Sequence, residues 1–372
     1  MTSVATRPGS GPVIQPADRQ QVAEGVRQAR QTGVSLGAPA ADQSWDFSAL
    51  TAEVLLNPPD MILTAETGHT LAHLKSTAAA SGLWLPLDSC HPGPLSLAQY
   101  LAEDWSLSWL SQTYGTLRDW VMELSAINDR GEPVRSGARV VKNVAGYHLA
   151  PLYIGARHAL GPVVEVSLRL IPSPAGLQRV RWSASNPNPL LDIWLQSAQA
   201  QRPEGNSNPW VALRLSGAGD RWSLEGLTQL SPDIAKSWAD ATTRSGPATV
   251  DRCAQPADEP ALEGRPLLSA HCLPSRLRAV IAAAAEQHLP LVAYPGVGAL
   301  IVHDGGRGES VQDRALTAWG AVLAAQEGWV RPLAGATLPA GLPRRPDDNA
   351  AQLAEVKSIL DPDGLFGPMP EL

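Results

Sequence analysis

The sequence predicts an α+β protein of two domains, and three observations carry that prediction. The chain has 372 residues, which is more than one hydrophobic core usually supports. Residues 163–171 alternate apolar and polar side chains as a strand does, and the Pro- and Gly-rich stretch 172–176 that follows is typical of a linker. Beyond it, strand-like segments interrupted by helices are typical of an antiparallel sheet covered on one face. We therefore expect one domain at 1–172 and a second at 173–372.

The beginning of the chain predicts a helix and then a short strand. Asp18 can cap a helix that runs to Ala29, and Gln21 completes a capping box. Gly33 supplies the stop, since glycine readily adopts the left-handed conformation that ends helices. An extended piece at Val34–Leu36 should follow.

The rest of the first domain has equally local signals. Residues 61–68 predict a strand running into a turn, and Thr70 can cap a helix whose inner face carries Leu71, Leu74 and Ala78. We also expect a helix within 95–105, a strand at 121–127 and a turn at 128–131.

The second domain is predicted to alternate strands with helices, with a hairpin turn at 296–298. Its expected strands are 179–182, 210–215, 221–227, 266–270, 291–294 and 299–303, and its expected helices are 190–200, 233–241, 275–288 and 311–327.

Composition excludes several classes of function. A net charge of -7 argues against nucleic acid as a main partner. No apolar run approaches the roughly 20 residues that span a bilayer, and the N-terminus lacks signal-peptide order, so we expect a cytoplasmic protein without a transmembrane segment. Cys90, Cys253 and Cys272 are widely spaced, which favours reduced, buried thiols over disulfides or a metal site.

The most specific motif is the run Arg139-Val-Val-Lys-Asn-Val-Ala-Gly-Tyr147. On its residues alone, it fits core strand positions and the wall of a ligand site about equally well. The run resembles the signature of the FAD-binding subunit of bacterial glycolate oxidase. That subunit belongs to the family whose FAD domain also occurs in vanillyl-alcohol oxidase and p-cresol methylhydroxylase.

The resemblance implies a two-part FAD-binding domain at 1–172. A ferredoxin-like-derived antiparallel α+β domain would follow at 173–372, with residues 353–372 folding back towards the flavin. It also implies that residues 140–147 and Gly155 line the largest cleft between the domains, with Lys142 and Asn143 facing into it. The cofactor-binding residues that it implies are Glu66, Thr67, Gly68, Tyr114, Gly115, Val141, Lys142, Asn143, Gly146, Tyr147, Gly155 and Gly161.

Three phosphate-facing segments depart from the family pattern: residues 37–42, 97–105 and 158–161. Pro39 has no amide to donate, and Asp42, Glu103 and Asp104 would each add negative charge near a pyrophosphate. We therefore expect weaker FAD binding than in close relatives, or binding only within an assembled complex. His148 and His158 stand in unusual places, but no carboxylate in the sequence pairs with them, and we assign them no catalytic role.

The function implied by the resemblance is that of the FAD-binding subunit of a glycolate oxidase-like complex. Such a complex oxidises a 2-hydroxy acid by hydride transfer to flavin, with a larger FAD subunit and an iron-sulfur subunit as partners. This chain has no Cys-x-x-Cys spacing, so any cluster would belong to a partner. Two alternatives stay open: a degenerate subunit that keeps the fold for assembly, and a free-standing FAD oxidase of another alcohol.

Overall fold

A computed structural model describes residues 12–37, 44–91, 93–139, 149–174, 176–199, 210–228, 235, 249–252, 262, 264–305, 312–333, 342–344 and 349–370. Several predictions fall outside these ranges. They concern residues 38–42 of the predicted phosphate loop, residues 140–148 with Val141, Lys142, Asn143, Gly146, Tyr147 and His148, and the helix at 233–241 apart from Ala235.

The strands of the described chain fall into two large sheets and two small pairs. In chain order they are β1 (Val13–Ile14), β2 (Ser44–Trp45), β3 (Val54–Asn57), β4 (Ile62–Glu66), β5 (Leu83–Trp84), β6 (Val121–Ile127), β7 (Pro133–Gly137), β8 (Val163–Arg169), β9 (Ile171–Pro172), β10 (Gln178–Ala184), β11 (Trp210–Ala218), β12 (Arg221–Thr228), β13 (Thr249–Arg252), β14 (Pro266–His271), β15 (Leu291–Tyr294), β16 (Ala299–His303) and β17 (Trp329–Pro332).

The α-helices pack around these sheets or close the chain. They are α1 (Arg19–Thr32), α2 (Leu71–Ala79), α3 (Leu97–Glu103), α4 (Ser111–Tyr114), α5 (Leu117–Trp120), α6 (Ala150–Tyr153), α7 (Asn188–Gln199), α8 (Pro274–Glu286), α9 (Gln312–Ala324) and α10 (Ala350–Leu360). None of the helices in the described ranges is long and apolar enough to cross a bilayer.

The first large sheet has the order β3-β4-β8-β6-β7 and is antiparallel throughout. Its central strands β4 and β8 are almost completely buried, and their register sets Glu66 opposite Glu165. Two buried carboxylates therefore face each other across neighbouring strands, and an arginine must neutralise them. The small parallel pair β1–β2 lies apart from this sheet.

The second large sheet has the order β13-β10-β12-β11-β15-β16-β14-β17 and is also antiparallel. Side chains of β15 show how it is layered. Leu291 and Ala293 join a core with helices α7, α8 and α9, whereas Val292 and Tyr294 join the core of the first sheet. The predicted α+β class is confirmed, and each sheet buries one face against its own helices.

The helix caps read at Asp18, Gly33 and Thr70 are confirmed, but the predicted capping box is not, because the Gln21 side chain accepts from the amide of Ala17 at 3.0 Å and not from that of Asp18. The Asp18 carboxylate accepts from the amide of Gln21, and Gly33 ends α1 with φ 70°. Thr70 caps α2, whose buried residues are the predicted Leu71, Leu74 and Ala78. The predicted strand at Val34–Leu36 is wrong, because only Leu36 pairs there, donating its amide to the carbonyl of Leu365 at 2.7 Å.

The C-terminal segment returns to the N-terminal part of the chain. After α10, the carboxylate of Asp361 accepts from the amides of Leu365 and Phe366 at 2.8 and 2.9 Å. Phe366, which is 1% exposed, then packs in a small core with Val22 and Val26 of α1. The two large sheets come from residues 54–169 and 178–332, and the domain division after residue 172 stays a prediction.

Candidate functional site

The sequence predicted Glu66 to lie beside the cofactor, but in the structure its carboxylate bonds to other groups of the protein. Its carboxylate accepts from Nε of Arg19 at 2.9 Å and from the amide of Ala52 at 2.7 Å. Arg19 reaches Glu165 and Glu53 as well, each at 2.9 Å. Both oxygens of the Glu66 carboxylate thus accept hydrogen bonds from the protein itself, and these contacts give the side chain a structural role.

Thr67 and Gly68 are also held by main-chain groups. The Thr67 hydroxyl donates to the carbonyl of Val163 at 2.8 Å. A Cβ on Gly68 would lie 2.2 Å from the carbonyl oxygen of Phe47 and 2.5 Å from that of Leu50. Glycine is therefore required at this position by the approach of the chain to itself, with or without a ligand.

Within the described ranges, the other predicted glycines face either nearby protein atoms that leave no room for a side chain or a group of charged side chains. Gly161, at φ 112°, has the carbonyl oxygen of Ile127 only 2.3 Å from where a Cβ would stand. Gly115, at φ 82°, faces the carboxylate of Asp119, which caps α5 through the amide of Thr116. Gly155, at φ 83°, instead faces charged side chains, with Asp104, Arg118 and Arg331 all within 4 Å of its missing Cβ.

The N-terminus of α3 occupies one of the predicted phosphate-facing positions, and its first amides are all in use. Leu97 donates to the carbonyl of His69 at 2.8 Å, and Ala98 donates to that of Thr67 at 2.7 Å. The next amide, that of Gln99, donates to the hydroxyl of Ser96 at 3.2 Å. A helix N-terminus binds phosphate through amides that lack intrahelical partners, and here protein atoms satisfy them.

At the other end of α3, five charged side chains form a group that we call the α3 ion cluster: Glu103, Asp104, Arg118, Arg157 and Arg331. Arg157 pairs with Glu103 at 2.9 Å. Asp104 pairs with Arg118 at 3.4 Å and with Arg331 of β17 at 3.7 Å. The cluster thus connects α3 and the segment after α6 to the edge strand of the second sheet.

The α3 ion cluster carries a net positive charge, because three guanidinium groups meet two carboxylates. Burial lowers the pKa of Arg331, and the neighbouring carboxylates of Asp104 and Glu103 offset that lowering only in part. Glu103 and Asp104 are both neutralised. The repulsion that the sequence suggested between these two residues and a pyrophosphate therefore does not follow from their placement.

Tyr114 lies beside an indole. Its ring contacts Trp84 edge-on, with ring centroids 5.0 Å apart, and burial raises the pKa of its hydroxyl. The indole nitrogen of Trp84 is buried and has no hydrogen-bond partner among the residues that the structure describes. The carbonyl of Tyr114 accepts from the indole nitrogen of Trp120 at 2.8 Å, which fixes the end of α4 against α5.

His158 adopts a left-handed conformation with φ 65°, and its ring packs edge-on against Phe47 at 5.1 Å. Burial lowers the pKa of His158 to about 4, so its imidazole is neutral near pH 7. A neutral ring held against a phenyl group is not an acid poised for proton transfer, and the structure offers it no described carboxylate partner.

The structure also brings together arginines that the sequence did not single out. Glu225, 2% exposed, lies between Arg214 at 3.2 Å and Arg181 at 2.5 Å on neighbouring strands of the second sheet. The strand register sets both arginines directly opposite Glu225. Arg181 and Arg214 lie more than 30 residues apart in sequence, so only the pairing of the strands could show that they meet at Glu225.

These contacts decide how well the described residues fit FAD. The α3 amides and the predicted glycines Gly68 and Gly161 face protein atoms, so the described residues do not form a cradle for its pyrophosphate. The predicted contacts at 38–42 and 141–147 lie outside the described residues.

No protein-family model matches the chain. Among curated proteins, it is 28% identical to glycolate oxidase subunit GlcE of Escherichia coli over 192 residues, covering 50% of each chain. It is 33% identical to a D-2-hydroxyglutarate dehydrogenase of Xanthomonas citri over 164 residues, covering 44% of this chain and 34% of that one. It is 35% identical to the mitochondrial D-lactate dehydrogenase [cytochrome] of Arabidopsis thaliana over 138 residues, covering 37% and 24%. The chain therefore spans half or less of the length of these relatives.

Solved structures share the fold over nearly the whole chain. Xylooligosaccharide oxidase from Myceliophthora thermophila C1 superposes with a TM-score of 0.69 at 13% identity, covering 100% of this chain and 96% of that one. A Phl p 4 variant described as a glucose oxidase superposes with a TM-score of 0.68 at 12% identity, covering 98% and 91%. Identities this low show a common architecture, and they carry no conclusion about substrates.

Proposed function

We propose that this chain, which has the α+β fold of vanillyl-alcohol oxidase-type FAD proteins, is a subunit of an FAD-dependent oxidoreductase that oxidises small 2-hydroxy acids. The observation that carries the proposal is the agreement among the relatives. Their names specify glycolate, D-2-hydroxyglutarate and D-lactate, three acids that each bear a hydroxyl group next to a carboxylate. FAD is the cofactor in this proposal.

The charge of the α3 ion cluster supports a carboxylate substrate. The cluster holds one guanidinium more than it has carboxylates, and so does the group of Arg181, Arg214 and Glu225. Arginine suits carboxylates because its planar fork donates two parallel hydrogen bonds. Both groups lie on the second sheet or touch it, and in this proposal residues 173–372 form the substrate side of the protein.

Partners and organisation form part of the same proposal. Glycolate oxidase subunits GlcE and GlcD both occur among the relatives, which supports a complex of several subunits. We propose a larger FAD subunit and an iron-sulfur subunit as partners in the cytoplasm. The division into a FAD-type domain at 1–172 and a substrate-side domain at 173–372, closed by 353–372, belongs to the proposal as well.

A second candidate function is favoured by one observation. The first amides of α3 are all satisfied by protein atoms, which suits a subunit that keeps the fold for assembly and leaves the flavin to a partner. This candidate and the first make different predictions about flavin content. They agree that the chain works within a complex.

The deciding experiment measures flavin and turnover on the same preparations. The chain is purified alone and together with its partner subunits, and flavin is quantified from visible absorption after the subunits have been separated. FAD is then titrated into the chain by calorimetry, with riboflavin as a control that lacks the pyrophosphate. Oxidation of glycolate, D-lactate and D-2-hydroxyglutarate by the complex is followed with an artificial electron acceptor.

The first candidate expects FAD in the separated chain, and oxidation of at least one of the three acids by the complex. Stoichiometric FAD without oxidation of any 2-hydroxy acid would contradict the proposed substrate class. An active complex whose FAD resides only in the partner would favour the assembly subunit.

A further inference from the structure

We draw no further inference here: the strongest candidate, the apolar face of helix α10 formed by Leu353, Val356 and the 70% exposed Ile359, carries nothing, because no observation within the described part of the chain shows what covers it.

Discussion

Asp361 shows how one side chain closes the chain onto its beginning. Its carboxylate is 3% exposed, accepts from the amides of Leu365 and Phe366, and pairs with Lys357. Lys357 in turn donates to the carbonyl of Ala159 at 2.6 Å. The turn after α10 is therefore tied both to the Phe366 core and to the segment that follows α6.

Asp361→Asn should destabilise the protein by about 1.5–3 kcal/mol, the usual contribution of a hydrogen bond to a buried charged group. The measurement is urea unfolding followed by circular dichroism. The control is Asp363→Asn on the same turn, whose exposed carboxylate pairs with Arg30 and should contribute less than about 1 kcal/mol. Equal losses in the two variants would contradict the role given to Asp361.

His158 gives a pH dependence whose sign follows from burial. Its pKa is lowered from 6.5 to about 4 in the folded chain, so between these values the unfolded state binds more protons. The free energy of unfolding should then fall as the pH drops from 6.5 towards 4, by up to about 3 kcal/mol from this residue.

His158→Asn should remove that part of the pH dependence. Asparagine tolerates the left-handed conformation at this position and does not titrate. Urea unfolding at several pH values between neutral and about 4 checks the difference in slope between the variant and the parent. Parallel slopes would show that the His158 ring titrates normally in the folded protein.

At the scale of elements, α1 is attached to the first sheet through one arginine. Arg19 lies in the first turn of α1 and contacts Glu53, Glu66 and Glu165, of which the last two are buried. Arg139 at the end of the β6–β7 hairpin gives Glu165 a second partner at 3.3 Å. Arg139 also begins the predicted FAD motif, so this network positions the start of that motif.

Arg19→Met should cost about 3–5 kcal/mol of stability, because it leaves Glu66 without a described cationic partner in the interior. Arg27→Met on the same helix is the control, since Arg27 donates only to a carbonyl oxygen among described groups. Thermal and urea unfolding compare the two variants. A loss for Arg19→Met no larger than that for Arg27→Met would rule out the network as the main anchor of α1.

At the scale of the whole molecule, the α3 ion cluster joins the two sheet-centred halves. Asp104 ends α3 in a left-handed conformation, and its carboxylate and carbonyl both contact Arg331 of β17. Gln112 makes a second connection, because its side chain donates to the carbonyl of Leu213 and accepts from the amide of Gly296 at 2.9 Å.

A double-mutant cycle of Asp104→Asn and Arg331→Met measures the first connection. Asparagine keeps the left-handed conformation of residue 104 and removes only the charge. We expect a coupling energy of about 1–3 kcal/mol, as for partly buried residues in direct contact. The exposed pair Arg276–Glu327 is the control cycle and should give no more than about 1 kcal/mol. Coupling of similar size in both cycles would mean that the cluster does not bind the halves together.

Local signals in the sequence determined most of the elements. Asp18, Thr70 and Gly33 define helix ends through atoms within four residues of themselves, and β6 and β8 follow from the alternation of apolar side chains. The motif at 139–147 pointed to the fold that the comparisons show, because its residue types are specific enough to be recognised without coordinates.

Only the tertiary structure decided what the charged and glycine positions do. Glu103 and Asp104 look like a local excess of negative charge, yet their partners Arg118, Arg157 and Arg331 come from three other places in the chain. Gly68 resembles a ligand-contacting glycine, but the atoms that require it belong to Phe47 and Leu50. Helix caps and the alternation of apolar side chains depend on residues that are neighbours in sequence. The pairing of opposite charges and the close approach of two backbone segments depend instead on distances that only folding creates.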